Sequence, residues 1–328
     1  MTTIGSGGEG SWAPATPGAA AVGAKTETRR NSSPGRRRRR RRWGGRTTDG
    51  DASAPEDDPG YGPGVGRRRT ERILVGKRTG GVLARAPDEL IVEEPLEVRL
   101  DGALVTTTMR TPGHDFELAA GLCLTDGLLA GAGVRGIAYC GDRSALEGEF
   151  NVVDVDTGAT APPPPGRLAP TTSSCGLCGS VSIDALLDRL APLTPATTFD
   201  LDVLATVTER VRHDQALFAR TGAVHAAAAF TGDGEVVILR EDVGRHNAVD
   251  KVVGRLLLDG RLPAADLGLF VSGRASFEMV AKAWAGGFPA VVAVSAPTAL
   301  AVATARTARL ALAGFVRGDR MTVYAPAP

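Results

Sequence analysis

The spacing of apolar positions divides the chain unevenly. Over residues 1–70, almost no large aliphatic side chain appears among Gly, Pro, Ser, Thr, Ala and Arg. Such a stretch cannot bury enough apolar surface to offset the entropy of ordering, which predicts a disordered tail. From near Arg72 the pattern changes. Leu90-Ile91-Val92 and Leu96 to Leu100 read as strands. Asp101-Gly102 predicts a two-residue hairpin turn into a further strand, Ala103 to Arg110, because both turn positions must tolerate positive φ. Thr111 to Asp115 is a loop, and a helix begins at Asp115 with Leu118 and Leu122 on one face. Phe150 to Val155 is another strand.

The second half is more regular. Ser182 to Leu190 reads as helical, and a longer helix runs from an Asp202 N-cap through Leu204, Val207 and Val211 to about Gly222. Val224 to Phe230 and Glu235 to Arg240 are strands around the turn Thr231 to Gly234. Asn247 is expected to cap a helix carrying Val249, Val252, Val253 and Leu256. Leu267 to Val271 is a strand leading through Ser272-Gly273-Arg274 into a helix to about Ala285. Val291 to Val294 is a strand followed by a helix from Pro297, and Leu312 to Val316 with Met321 to Tyr324 close the sheet. Strands alternating with helices predict an α/β protein, a mixed sheet with flanking helices preceded by a smaller N-terminal α+β part. The expected organisation is a basic tail over 1–70, the α+β part over 71–170 and the α/β part over 171–328.

Charge sharpens this division. The 328 residues carry a formal charge of +1, yet residues 1–70 hold 14 of the 38 Lys and Arg and only 7 of the 37 Asp and Glu. The body is therefore acidic and the tail basic. Arg36 to Arg42 are consecutive arginines, compatible with binding a polyanion or with a solvated tail. Nothing aromatic interleaves them, and no specific nucleic-acid partner is expected. Arg29-Arg30 is not followed by an apolar segment, and no run of eighteen apolar residues occurs. The expectation is a soluble cytoplasmic protein without a membrane partner. Four cysteines in so long a chain do not make a disulfide scaffold.

Two of those cysteines form Cys175-Gly176-Leu177-Cys178, inside a small-residue stretch that follows Pro162 to Pro165. This loop-like setting suits a reactive pair better than a packed one. A redox disulfide, half of a zinc site and a sulfur-carrying thiolate all fit it. Cys123 and Cys140 are isolated and read as packing residues. Three further loops combine glycine with basic residues where strands end. Arg240 to Asn247 offers Arg245 and His246 at a helix start, and Ser272 to Ser276 offers Arg274 in the same way. Gly314 to Arg320 sets Phe315, Val316, Arg317, Gly318, Asp319 and Arg320 at a turn between strands. Each could hold phosphate through arginine, and each could be an ordinary charged turn. Together they suggest one phosphorylated ligand in a crevice.

These segments, with Val224-His225-Ala226-Ala227, Ser272 to Glu278 and Arg110-Thr111-Pro112-Gly113, occur in the same order as in the FdhD family, which the chain resembles from about Glu89 to Tyr324. Members of that family are formate dehydrogenase accessory sulfurtransferases. The resemblance implies a C-terminal part similar to the cytidine deaminase fold, although His225 lacks the glutamate of a deaminase His-x-Glu motif. It implies that Cys175 bears a persulfide and that Cys178 assists or shares the sulfur. It implies a cysteine desulfurase as donor and the molybdenum bis-molybdopterin guanine dinucleotide cofactor as acceptor, for formate dehydrogenase as client. It also implies that Phe315 to Arg320 contact the guanine nucleotide; Arg245, His246 and Arg274 are then expected on the cofactor's phosphates, and a homodimer is expected because the persulfide needs a shielded crevice. The alternative expectation is a cofactor-binding chaperone that moves no sulfur. No bound metal is expected to belong to the protein itself.

Overall fold

The computed structural model describes residues 67–140, 150–164 and 189–325. The basic run, the Cys175 and Cys178 segment and most of the expected helix Ser182 to Leu190 lie outside the described residues.

The described chain begins with a two-stranded ribbon, β1 (Thr70–Thr79) and β2 (Val82–Ile91), joined at Gly80 and Gly81. Both glycines have positive φ, 58° and 86°, as a two-residue hairpin turn demands. Next come β3 (Glu94–Leu100) and β4 (Ala103–Arg110), α1 (Asp115–Thr125), β5 (Gly136–Tyr139) and β6 (Val152–Asp156). They form a four-stranded sheet in the order β4-β3-β6-β5, with β3 and β6 parallel. The expected turn is present: Asp101 and Gly102 have φ of 49° and 85°, and Leu100 pairs with Ala103. Leu96, Val98, Leu100, Val153 and Val155 pack against Leu118, Leu122 and Cys123 of α1.

The larger layer follows. α2 (Leu201–Asp214) and α3 (Ala216–Thr221) precede β7 (His225–Phe230) and β8 (Val236–Asp242). Then α4 (Arg245–Leu258), β9 (Gly268–Val271), α5 (Phe277–Gly286), β10 (Ala290–Ala293) and α6 (Ala299–Ala308) alternate. β11 (Ala311–Arg317) and β12 (Arg320–Ala325) complete a six-stranded sheet in the order β12-β11-β10-β9-β7-β8. β9, β10 and β11 are parallel, and the outer pairings are antiparallel. Its central strands are buried on both faces, so they read as apolar runs instead of alternations. Ala227, Ala229, Leu269, Val271 and Val291 face α4, α5 and α6. Ala228, Phe230, Phe270, Val292 and Ala313 face α2.

Two expected element boundaries move. The cap of α2 is Asp200, whose side chain accepts from the Asp202 amide at 2.8 Å. The single helix expected to run to Gly222 breaks at Gln215, because the Glu241 carboxylate captures the amides of Leu217 and Phe218 at 2.8 Å each and starts α3. Asn247 does not cap α4. That place is held by Gly244, and Asn247 lies inside the helix with its amide on Asp242 and on the Met109 carbonyl.

The two layers meet where α1 crosses α4, and the crossing is backbone against backbone. A Cβ on Gly121 would lie 1.9 Å from the Asp250 carbonyl oxygen, and one on Gly254 would lie 1.8 Å from that of Glu117. Real side chains never approach so closely, so this contact requires glycine on both helices.

Candidate functional site

The sheet topology gathers the basic loops. Parallel β9, β10 and β11 all end at one edge of the six-stranded sheet. Antiparallel pairing brings the start of β7 and the end of β8 to that same edge. Ligands of open α/β sheets bind in the crevice beyond such strand ends. Main-chain hydrogen bonds then join the loops in series. The Ser272 amide donates to the Ala226 carbonyl at 2.9 Å, and the Ala226 amide donates to the Ser272 hydroxyl at 2.9 Å. The Ser295 amide donates to the Gly273 carbonyl, and the Phe315 amide to the Ser295 carbonyl, at 3.3 Å each.

One buried carboxylate fixes the loop after β8. Asp242 accepts from the Gly244 amide at 2.8 Å and from the Asn247 side chain at 2.9 Å. Its other oxygen accepts from the Thr111 amide at 3.1 Å and lies 2.7 Å from Lys251 Nζ, with both side chains fully buried. Thr111 answers by accepting from the Val243 amide through its hydroxyl and from Lys251 through its carbonyl, at 3.0 Å each. Thus the Arg110-Thr111 motif from one layer sets the start of α4 in the other. Sequence reasoning quoted both motifs without joining them; the nine-residue spacing of Asp242 and Lys251 around a helix start was the available signal.

Arg240 is committed elsewhere. Its guanidinium donates to both oxygens of Glu117, at 2.6 and 2.9 Å. Burial alone would raise the Glu117 carboxyl, but hydrogen bonds from Arg240 and His114 hold it down at about 2. Arg110 similarly grips Asp115 at 2.9 and 2.8 Å. These arginines build the frame.

Arg245 and His246 are different. Arg245 Nε and His246 Nε2 are buried atoms without a hydrogen-bond partner among the described residues. Buried polar atoms are rarely left so, and such exceptions concentrate where something binds. Burial, with Lys282 and Arg245 nearby, pushes His246 down to about 4. Burial and Arg245 lower His225 as well. Both imidazoles are therefore neutral at pH 7, and Arg245 supplies the fixed positive charge between them.

A cavity of about 440 Å³ opens at this edge. Phe270, Val224, Val243 and Val294 line it together with His225, Ser272 and Arg317. Its far wall is Thr208, Glu209, Arg212, Gln215 and Phe218 from α2, α3 and their junction. No local motif marks these residues, and only the fold brings them together. Of the other expected site residues, Arg274, Gly318, Asp319 and Arg320 are exposed on turns of the same edge. Phe315 is 51% exposed and holds a φ of 53°, at a register shift between Gly314 and Arg317. Positive φ strains an aromatic residue, and such strain collects at functional sites. Val316 turns inward to the α2 core, and its carbonyl accepts from the Thr208 hydroxyl at 3.2 Å.

From Arg189 onward the chain is anchored beside His246's neighbours. Arg189 donates to the carbonyls of Thr125 and Asp126 at 3.2 and 3.0 Å, and Trp284 Nε1 donates to the Ala191 carbonyl at 2.8 Å. Lys282, which helps keep His246 neutral, sits there between Asp250 and Asp126. Cys123 is a packing residue as expected: burial pushes its thiol up to about 12.

Known proteins agree with the motifs. The chain is 47% identical over 262 residues to "Sulfur carrier protein FdhD" of Corynebacterium efficiens, covering 77% of this chain and 94% of that protein. The protein of the same name from Streptomyces avermitilis is 48% identical over 273 residues, covering 79% and 94%. That of Mycobacterium tuberculosis is 46% identical over 250 residues, covering 73% and 90%. The fold matches a Desulfotalea psychrophila crystal structure described as a formate dehydrogenase accessory protein, with a TM-score of 0.63 at 21% identity, over 79% of this chain and 97% of that one. The FdhD/NarQ family model matches residues 91–328. By sequence over most of its length, and with the fold in accord, the chain belongs to the FdhD/NarQ family.

Proposed function

We propose that this protein is a sulfur carrier that takes persulfide sulfur from a cysteine desulfurase and delivers it to the molybdenum bis-molybdopterin guanine dinucleotide cofactor, for the benefit of formate dehydrogenase. The observation that carries the reading is the meeting of the motif loops at one sheet edge, around a cavity bordered by Arg317 and His225, with buried Arg245 and His246 atoms at the adjoining helix start that have no hydrogen-bond partner among the described residues. A phosphorylated, aromatic-headed cargo suits fixed guanidinium groups over an apolar floor. The name of the relatives supports the carrier role.

In the loading step the Cys175 thiolate attacks the terminal sulfur of the donor persulfide. The donor's sulfur–sulfur bond breaks, and its electron pair leaves with the donor thiolate. In the delivery step Cys178 thiolate attacks the inner sulfur of the Cys175 persulfide. A disulfide closes, and the outer sulfur departs as sulfide to the metal. Cys178 thereby supplies the electron pair, and a thiol reductant resets the pair. Arg245, His246, Arg274 and the Phe315 to Arg320 turn hold the cargo through its phosphates and guanine.

Intact mass after incubation with an active desulfurase and cysteine tests the carrier. The expected result is one sulfur added to the wild type, removed by a thiol reductant, and absent from Cys175→Ala. Cys178→Ala should load and then fail to release sulfide. No sulfur on any form would favour a chaperone that binds the cofactor and transfers nothing.

A further inference from the structure

Arg69 is a cation without a contact partner. Its carbonyl accepts from the Val92 amide at 2.9 Å, which fixes the chain there. Its guanidinium lies against Gly113, where an added Cβ would stand 3.7 Å from Nε. Nε is buried without a hydrogen-bond partner among the described residues, and the guanidinium makes no ion pair with a described carboxylate. Its close neighbours in the chain are engaged. Arg67 pairs with Glu94 and Asn151, and Thr70 donates to Glu89 at 2.6 Å.

Acids stand near Arg69, yet each is committed elsewhere. Burial lowers the pKa of its guanidinium, and attraction from Glu241, Asp242 and Asp115 offsets that only in part. Glu241 accepts the Leu217 and Phe218 amides. Asp242 holds Gly244, Asn247, Thr111 and Lys251. Asp115 is gripped by Arg110. Arginine stays charged at neutral pH, and a buried charge without a partner is costly. Its place is also informative. Glu241 and Asp242 end β8 at the sheet edge where the cavity opens, and Val243 and Phe218 beside them line it.

We propose that Arg69 is a further binding residue of this site and takes a phosphate group of the cargo at the β8 end of the edge. Its fork matches two phosphate oxygens, and the arriving anion supplies the contact that the fold withholds. The inference rests on the reading of a phosphorylated, guanine-bearing cargo. It adds a residue that precedes the span matched by the family model, 91–328. If Arg69 only balanced Glu241 through space, its loss would cost stability and leave anion binding alone.

Calorimetric titration of the full-length chain with inorganic pyrophosphate and with guanosine diphosphate tests this, beside guanosine, which carries no phosphate. Arg69→Gln should weaken both phosphate ligands roughly tenfold and leave guanosine unchanged. Arg72→Gln, which removes an exposed charge nearby, should change nothing. Arg69→Lys keeps the charge and loses the fork, so it should fall between. It decides the matter if Arg69→Gln does not fold, and wild-type affinity in it would then overturn the proposal. Guanosine diphosphate should displace pyrophosphate; a pyrophosphate that it cannot displace would be a free anion's site and not the cargo's. Unchanged phosphate affinities in folded Arg69→Gln, or an equal loss in Arg72→Gln, would overturn the assignment, while guanosine diphosphate binding by wild type would leave the cargo reading standing. No binding of either phosphate ligand to wild type would overturn both.

Discussion

Asp242 and Glu117 show how single residues prepare this site. Each is a buried carboxylate matched to a cation, and each spans the two layers. Glu117 titrates at about 2 in the fold, well below an ordinary glutamate. Its stabilising effect is complete above the unfolded pKa of about 4.3 and is lost as pH falls toward 2. His246 is held near 4 by burial and by neighbouring cations. It gains no proton in the fold at neutral pH, so its contribution is complete above about 6.5 and fades as pH falls from there to 4. Acid should therefore weaken the protein in two stages, each worth about 3 kcal/mol. Urea titrations between pH 7 and pH 2 should show both, and His246→Phe should shrink the upper stage, to which lowered His225 and His114 also contribute, while leaving the lower one in place. The sequence marked His246 and Arg245 as site residues because they open a helix after a strand. It gave no hint that Arg240, in the same motif, is spent on a glutamate more than a hundred positions earlier.

At the scale of elements, the strands and helices after Val224 were legible because buried strands and amphipathic helices leave distinct periods. The ribbon was not, although Gly80-Gly81 is a hairpin signal. Its apolar residues face outward beside charged ones, and no alternation toward a core marks them. The break between α2 and α3 was equally hidden, since the cap of α3 comes from a distant strand. Asn247 looked like a cap by type, but Asp242 had already turned the chain three residues ahead of the helix. The tightest element contact, α1 on α4, depends on residues with no side chain at all. Gly121→Ala or Gly254→Ala must push the helices apart, and each should cost roughly 3 kcal/mol or more. Chemical denaturation checks this, with Gly260→Ala as a control in open space whose cost is only the strain of its φ of 68°.

The whole molecule makes the site from segments as far apart in the chain as His225 and Arg317, and only sheet order explains their meeting. Fold class and loop identity could be read in advance. The α2 and α3 wall of the cavity could not, because helix faces do not announce what they will face. Arg317 lines the cavity, and Arg320 stands across the two-residue turn from it. Arg317→Ala with Arg320→Ala should weaken cofactor binding roughly tenfold or more, as loss of charge-assisted contacts implies. Equilibrium binding with the isolated cofactor reads this directly, and sulfur loading on Cys175 should be unchanged.

The paired glycines of α1 and α4, and the grip of Asp242 on Thr111, have a consequence for ancestry and engineering. Neither layer can be exchanged for a relative's version by itself. A chimera joined anywhere between Thr125 and Asp242 inherits both members of each contact from different parents, and it must match them atom for atom. The two layers must therefore diversify as one inherited unit.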